Sequence, residues 1–249
     1  MPKMRLKSLG NQERVYMNPN DYQTILDCAE SRRAEVAMRI MGQMGLRVSE
    51  IGFSFDDIRQ STHPDVDLWF VTIYGKDTSG ETENGKRRDA WMPDDLKARI
   101  ERYMENERRT TTTPIIGETP RTISRDVKQS AKNAALKTDN EDFEYISCHD
   151  FRAYFATNML LREGVDPEIV MELGGWVDRE TIDPYLNASF DDIIRDELAA
   201  AGVIEDAGET RIDRIEKQLG KIVEAINEID PGAINTDEEA DQTALDGFS

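Results

Sequence analysis

Residues 148–152 read Cys148-His149-Asp150-Phe151-Arg152, a spacing that puts the imidazole of His149 and the guanidinium of Arg152 on one helical face. Three other segments carry chemistry of the same kind. Upstream, Gly45-Leu46-Arg47-Val48-Ser49-Glu50-Ile51 sets an arginine just beyond a helix end, with a glutamate three residues on. Tyr74-Gly75-Lys76-Asp77 puts a lysine at the tip of an expected hairpin. Downstream, Leu173-Gly174-Gly175-Trp176 is followed nine residues later by Tyr185. Taken singly, each has an ordinary reading. An Arg–Glu pair at this spacing is a solvated helix pair, a hairpin lysine is exposed, and a His-x-x-Arg pair makes routine hydrogen bonds. A tyrosine near a helix end is partly packed, with its hydroxyl satisfied. Together, in this order, the four segments read as one set.

The elements that carry them alternate between helix and a little strand. Tyr22, Ile25, Leu26 and Ala29 recur at helical spacing, predicting a helix over 17–27 with Asn20 as its N-cap. A second helix runs over 32–44 and stops at Gly45, a left-handed C-terminal position. Leu68-Trp-Phe-Val-Thr-Ile-Tyr74 is β-branched and aromatic, hence a strand, and 89–92 pairs back as the return strand of a hairpin. Helices follow over 93–108, 121–136, 148–163, 167–173 and 179–186. Ser189 and Asp192 form a capping box for one more, ending before Gly202. The fold class is therefore mainly α with a small antiparallel β-sheet. Beyond it, Ile212, Ile215, Leu219, Ile222, Ile226 and Ile229 alternate spacings of three and four, an a/d heptad stopped at Pro231-Gly232. That segment is either one amphipathic helix docked on its own domain or a seam for a second chain. The domain boundaries are a basic N-terminal arm over 1–19, the main domain over 20–203, the heptad helix over 204–231 and an acidic, disordered tail over 232–249.

Composition removes several function classes. The chain of 249 residues holds two cysteines, Cys28 and Cys148, and two histidines, His63 and His149, too few for a disulfide scaffold or a Cys- or His-ligated metal site. No apolar run approaches the roughly 20 residues of a membrane-spanning helix. The basic N-terminus lacks a signal-peptide core, so the expectation is a cytoplasmic protein with no membrane partner. The net charge of −19, from 31 Lys+Arg against 50 Asp+Glu, argues at first sight against nucleic acid. The acids are spread through the chain, as in Asp56-Asp57, Asp94-Asp95, Asp191-Asp192 and Glu238-Glu239, rather than gathered in one tail. That spread fits a salt-in halophile, an archaeon or its virus or plasmid, in whose molar salt the Debye length is about 3 Å and only contact pairs count.

The four segments supply a complete phosphoryl-transfer chemistry with neither metal nor cofactor. Cleaving DNA needs a nucleophile, positive charge on the non-bridging oxygens and an acid for the leaving oxygen. Two guanidiniums are planar forks that stay charged and bind phosphate oxygens bidentately. Lysine is a flexible point charge whose pKa drops beside other cations, which suits a general acid. Histidine accepts or relays a proton near neutrality. Tyrosine, with an ordinary pKa of about 10, becomes a nucleophile where arginines stabilise its phenolate.

On these residues, over about 20–196, the chain resembles the catalytic domain of the tyrosine recombinase, or phage integrase, family. The resemblance implies that family's catalytic-domain fold, with a C-terminal helix passed from each protomer to its neighbour. It implies Arg47 and Arg152 as the catalytic arginines, Glu50 as the buttress of Arg47, and Lys76 as the hairpin lysine, with Lys86 as the alternative. His149 and Trp176 complete the pocket and Tyr185 is the nucleophile. The implied activity is site-specific recombination of double-stranded DNA through a 3′-phosphotyrosyl link, by four protomers on two sites. Lys3, Arg5, Lys7, Lys86, Arg87 and Arg88 are candidate DNA contacts. The alternatives are a catalytically idle DNA-binding regulator of the same fold and a type IB topoisomerase-like relaxing enzyme. Pro184, just before Tyr185, either sets the tyrosine's approach or ends the helix.

Overall fold

The computed structural model describes residues 5–9, 12–63, 66–74, 87–186, 191–200 and 203–204. Lys3, Lys76 and Lys86, the heptad from residue 205 onward and the acidic tail lie outside the described residues, as do the side chains of Arg5 and Lys7. The chain divides into two units, 1–190 and 191–249. In the second, helix α8 (Asp191–Ala200) is closed by the Val203 amide, which donates to the Leu198 carbonyl at 2.8 Å.

The first unit is built around one helix. Strands β1 (Arg5–Leu9) and β2 (Gln12–Tyr16) pair antiparallel and lead into α1 (Pro19–Asp27) and α2 (Arg32–Met44). Helix α2 is apolar on nearly every side: Ala34, Val36, Ala37, Met38, Ile40, Met41 and Met44 are all buried. Such a helix belongs in a core, and α1, α3 (Asp94–Asn106), α4 (Pro120–Thr138) and α5 (Cys148–Thr157) pack against it. Strands β3 (Ile58–Gln60), β4 (Trp69–Tyr74) and β5 (Arg87–Met92) form a three-stranded antiparallel sheet in sequence order. Val71 pairs with Ala90 and Ile73 with Arg88, so the face holding Val71, Ile73, Ala90 and Met92 is buried. On the other face Asp89 accepts from Thr72 at 2.8 Å and from Arg59 at 2.5 Å. Helices α6 (Pro167–Gly174) and α7 (Arg179–Leu186) complete the unit. Among the described residues no helix is long and apolar enough to cross a membrane.

The expected class, mainly helical with a small antiparallel sheet, is what forms. Helix α2 has the expected bounds, and Gly45 caps it at φ 66°. Two local expectations need correction, and one of the two readings of Pro184 is not met. The N-cap of α1 is Asn18, not Asn20: Asn18 Oδ1 accepts from the Asp21 amide at 2.9 Å while Asp21 accepts from the Asn18 amide at 3.1 Å. The helix expected over 148–163 is two pieces, because residues Asn158–Arg162 wind as a π turn after α5. Pro184 does not end α7, which continues through it to Leu186. The residues expected as an N-terminal arm contain the β1–β2 hairpin, with Val15 and Tyr16 of β2 buried.

Candidate phosphate-binding site

Each residue of Cys148-His149-Asp150-Phe151-Arg152 has a separate job. Ser147 is the N-cap of α5, and its amide and hydroxyl donate to the buried Asp150 carboxylate at 2.8 and 2.6 Å. Phe151 is core. Cys148 Sγ donates to Ser124 Oγ of α4 at 3.6 Å, pinning the helix start. His149 in this first turn is exposed. One turn later Arg152 points inward and is only 2% exposed.

A buried guanidinium must spend its donors on the protein or hold them for a ligand. Arg152 does both. Its Nη1 donates to the Gly45 carbonyl, in a very short contact, and to the Gly174 carbonyl at 2.7 Å. Its Nη2 is buried with no hydrogen-bond partner. The guanidinium carbon lies 3.9 Å from the centre of the Trp176 ring, a cation–π contact. Burial first, then the Arg47 charge, pulls the Arg152 pKa down from its usual value to about 9, with Glu50 opposing and Arg88 adding to the fall. The site therefore holds a cation at a cost that an anion would relieve.

Gly45 makes this arrangement sterically possible. Its positive φ closes α2, and a Cβ there would lie 2.4 Å from Phe155 Cδ1. Two residues on, Arg47 keeps a side chain 46% exposed, so it is the open edge of a site whose other arginine is covered. Glu50 is almost fully buried. Its Oε1 accepts from Arg47 Nη1 at 2.9 Å and its Oε2 from the Arg47 amide at 2.9 Å. Although burial alone would raise it, hydrogen bonds and charge from Arg88, then bonds from Arg47, hold the Glu50 carboxyl down at about 2.

Trp176 is folded back by its own amide, which donates to the Met171 carbonyl at 2.9 Å. Its ring stacks on Phe155 at 6.4 Å and meets the Tyr185 ring edge-on at 6.0 Å. Tyr185, near the end of α7, is 2% exposed and acts electrostatically on Arg152. Arg47, Glu50, Arg152, Trp176 and Tyr185 therefore gather around one point, from four separated segments. Arg88, expected as a DNA contact, is turned inward onto Glu50 instead, because it shares the buried face of β5 with Ala90 and Met92. Arg87, one position along, is exposed. Among the described residues no three His, Cys, Asp or Glu side chains gather as a metal-ligand group.

A second feature was hidden in the helix sequence. On α4, Arg121, Arg125, Lys128 and Lys132 follow one another at spacings of four, three and four, and all four are exposed. The acid within α4, Asp126, is already held by Arg33 Nη2 at 2.7 Å. This is a basic stripe on a chain of net charge −19. Its 3.6-residue period is readable in the sequence, once α4 is taken as a helix and its cations are plotted by face.

A model of the phage integrase family matches residues 15–191. No curated protein sequence matches the chain. The fold is similar to the crystal structure of XerA recombinase, at TM-score 0.58 and 17% identity over 76% of this chain and 65% of that one. It is also similar to XerH site-specific recombinase bound to palindromic difH substrate in a post-cleavage complex, at TM-score 0.53 and 15% identity over 74% and 52%. A lambda integrase (75–356) dimer bound to a COC′ core site gives TM-score 0.50 and 16% identity over 71% and 61%. At these identities the likeness is one of fold. The chain spans between about half and two thirds of the recombinases it matches.

Proposed function

The chain belongs to the phage integrase family, and on that premise we propose that it is a site-specific DNA recombinase that cleaves and rejoins strands through a 3′-phosphotyrosyl link. One observation carries the proposal. A buried guanidinium, Arg152, has spent Nη1 on two carbonyls and keeps Nη2 without a partner, with Tyr185 beside it and the half-exposed Arg47 at the rim. The scissile phosphate enters from the Arg47 side. The two arginines bind its non-bridging oxygens, offsetting the charge that develops on them as the bond forms. The Tyr185 oxygen attacks phosphorus, its proton passing toward His149. The 5′ oxygen leaves with a proton from Lys76 or, failing that, Lys86. The phosphodiester energy is kept in the phosphotyrosyl bond, so a second strand's 5′-hydroxyl reverses the step without ATP or a metal.

Affinity for the duplex comes from elsewhere. Ser124, next to Arg125 of the α4 stripe, touches Cys148 at the start of α5, and Lys128 Nζ donates to the Glu144 carbonyl at 3.0 Å, so the first part of the stripe lies near the turn that bears His149. It supplies phosphate contacts, while the acidity of the remaining surface keeps the protein soluble and working in high salt. Recombination between two sites calls for four protomers, and α8 is the segment each passes to its neighbour.

The test is a pool of nicked duplexes from DNA flanking the gene, on which cleavage releases a short fragment and cannot reverse. The native protein is expected to trap a covalent adduct and Tyr185→Phe none. An undiminished adduct with Tyr185→Phe, or none with the native chain over the whole salt range, overturns the proposal. Adduct formation with supercoil relaxation and no recombinant product assigns the relaxing activity instead.

A further inference from the structure

We infer that Arg88 is a positioning residue for strand cleavage: its guanidinium fixes the Glu50 carboxylate between β5 and the Leu173–Trp176 turn, so that Arg47, held by Glu50 through Nη1, keeps its exposed side and its charge directed at the phosphate. The inference rests on the recombinase reading for its activity assay and on geometry alone for its structural part.

Three segments meet at Arg88. Its Nη1 and Nη2 donate to the two oxygens of Glu50 at 3.1 and 2.7 Å, a planar fork on a carboxylate. Its Nε faces the Leu173 carbonyl at 3.4 Å, one residue before the Gly174 carbonyl that Arg152 uses. Its stem crosses Gly175, which sits at φ 70°, where a Cβ would lie 2.6 Å from Arg88 Cδ. The guanidinium thus ties the return strand of the sheet to the turn carrying Trp176 and to the residue that holds Arg47. With its side chain 10% exposed, it is not available as a surface DNA contact.

The charge count gives this tie a purpose. Glu50 faces Arg47 from its own turn, Arg88 from β5 and Arg152 from α5, with Tyr185 of α7 acting on the same cluster. Each Glu50 oxygen accepts two bonds, one from Arg47 and one from Arg88. With Arg88 present, Glu50 is neutralised by a buried partner and Arg47 retains positive charge toward solvent. Without Arg88, Glu50 turns its full charge on Arg47 and is no longer fixed in direction. Guanidinium misplacement of about 1 Å costs on the order of 10²-fold in rate.

The experiment compares wild type, Arg88→Gln, Arg88→Lys, Glu50→Gln and the double variant Arg88→Gln/Glu50→Gln. Single-turnover adduct formation is followed from pH 4 to 9, with duplex affinity and the NMR titration of the Glu50 carboxyl. Arg88→Gln is expected to slow adduct formation about 10- to 100-fold, to leave affinity within about threefold, and to show a new acid limb as Glu50 titrates in a higher range. Arg88→Lys recovers part of the rate. The double variant is little slower than Glu50→Gln alone, because the two side chains act as one unit. Rates for Arg88→Gln that match wild type at every pH overturn the inference. So does a loss seen only in affinity, or one that multiplies with that of Glu50→Gln. If wild type forms no adduct, the recombinase reading falls, and the Glu50 titration still decides the structural part: an unmoved carboxyl in Arg88→Gln overturns it.

Discussion

Arg152 and the α4 stripe present the same kind of charge in opposite circumstances. Arg152 is 2% exposed, wedged over Trp176, bonded to two carbonyls and crowded by Arg47 and Arg88. Arg121, Arg125, Lys128 and Lys132 lie exposed along one helix face. Burial makes a cation costly, and where the protein's own partners leave a donor unmatched, as at Arg152 Nη2, an anion at a fixed place offsets the remaining cost. An exposed cation costs little, moves freely and is screened by salt. We propose that the first kind accelerates the reaction and that the second raises the local concentration of the polyanion.

The largest expected effect separates the two directly. Arg152→Ala should lower the single-turnover cleavage rate by about 10³ or more, the scale of a phosphate-clamping arginine, while a gel-shift titration changes only a few-fold. Arg152→Lys should not restore the native rate, since the fork and its fit to two carbonyls are lost. A native rate in Arg152→Lys would break the comparison.

Replacing all four stripe cations by glutamine should do the reverse. At saturating DNA the cleavage rate holds, while the slope of log affinity against log salt becomes shallower by about 0.9 for each phosphate that is no longer neutralised. An unchanged salt slope would mean that α4 does not touch the backbone.

A smaller effect concerns the carboxylate that the buried cations share. Glu50 is held at about 2, below the ordinary carboxylate value. A depressed carboxyl stabilises the fold at pH above its unfolded pKa of about 4.3, and this contribution disappears as pH falls toward 2. Acid unfolding of the native chain should therefore carry a component that is absent in Glu50→Gln, as read by circular dichroism. Identical acid transitions would remove Glu50 from the account. The smallest effect sharpens the role of the α5 start. Ser147→Ala removes a hydroxyl bond to Asp150 and should cost about 1 kcal/mol by denaturant titration, with a modest loss of cleavage rate. No change in stability would show that the box is not what sets α5.

Much of this arrangement is legible in the residues alone. Helix α2, its glycine stop and the β4–β5 pair follow from local patterns, because capping and periodicity are short-range signals, whereas the gathering of Arg47, Arg152, Trp176 and Tyr185 from distant segments is implied only by the resemblance to a family. Other features are not. The Asn18 cap hides because Asn20 and Asn18 are equally good caps by type, and only the reciprocal bond with Asp21 selects one. The π turn after Thr157 leaves no compositional mark. The β1–β2 hairpin is masked by its basic residues, although Gly10-Asn11 between the strands is a hairpin-type dipeptide. Arg88 shows how a surface expectation goes astray: in Gly-Lys-Arg-Arg two adjacent arginines look alike, yet the strand's period of two sends one inward.

Whether two guanidiniums act on one phosphate can be tested by changing the phosphate rather than the protein. Cleavage rates would be measured for wild type, Arg47→Ala and Arg152→Ala on a duplex with an ordinary scissile phosphate and on one with a neutral methylphosphonate there. If the arginines offset charge on that group, the loss of about 10³ caused by either substitution on the charged duplex should shrink to a few-fold on the neutral one. Equal losses on both duplexes would contradict the account, leaving the arginines as supports of the fold and the phosphate to be held elsewhere.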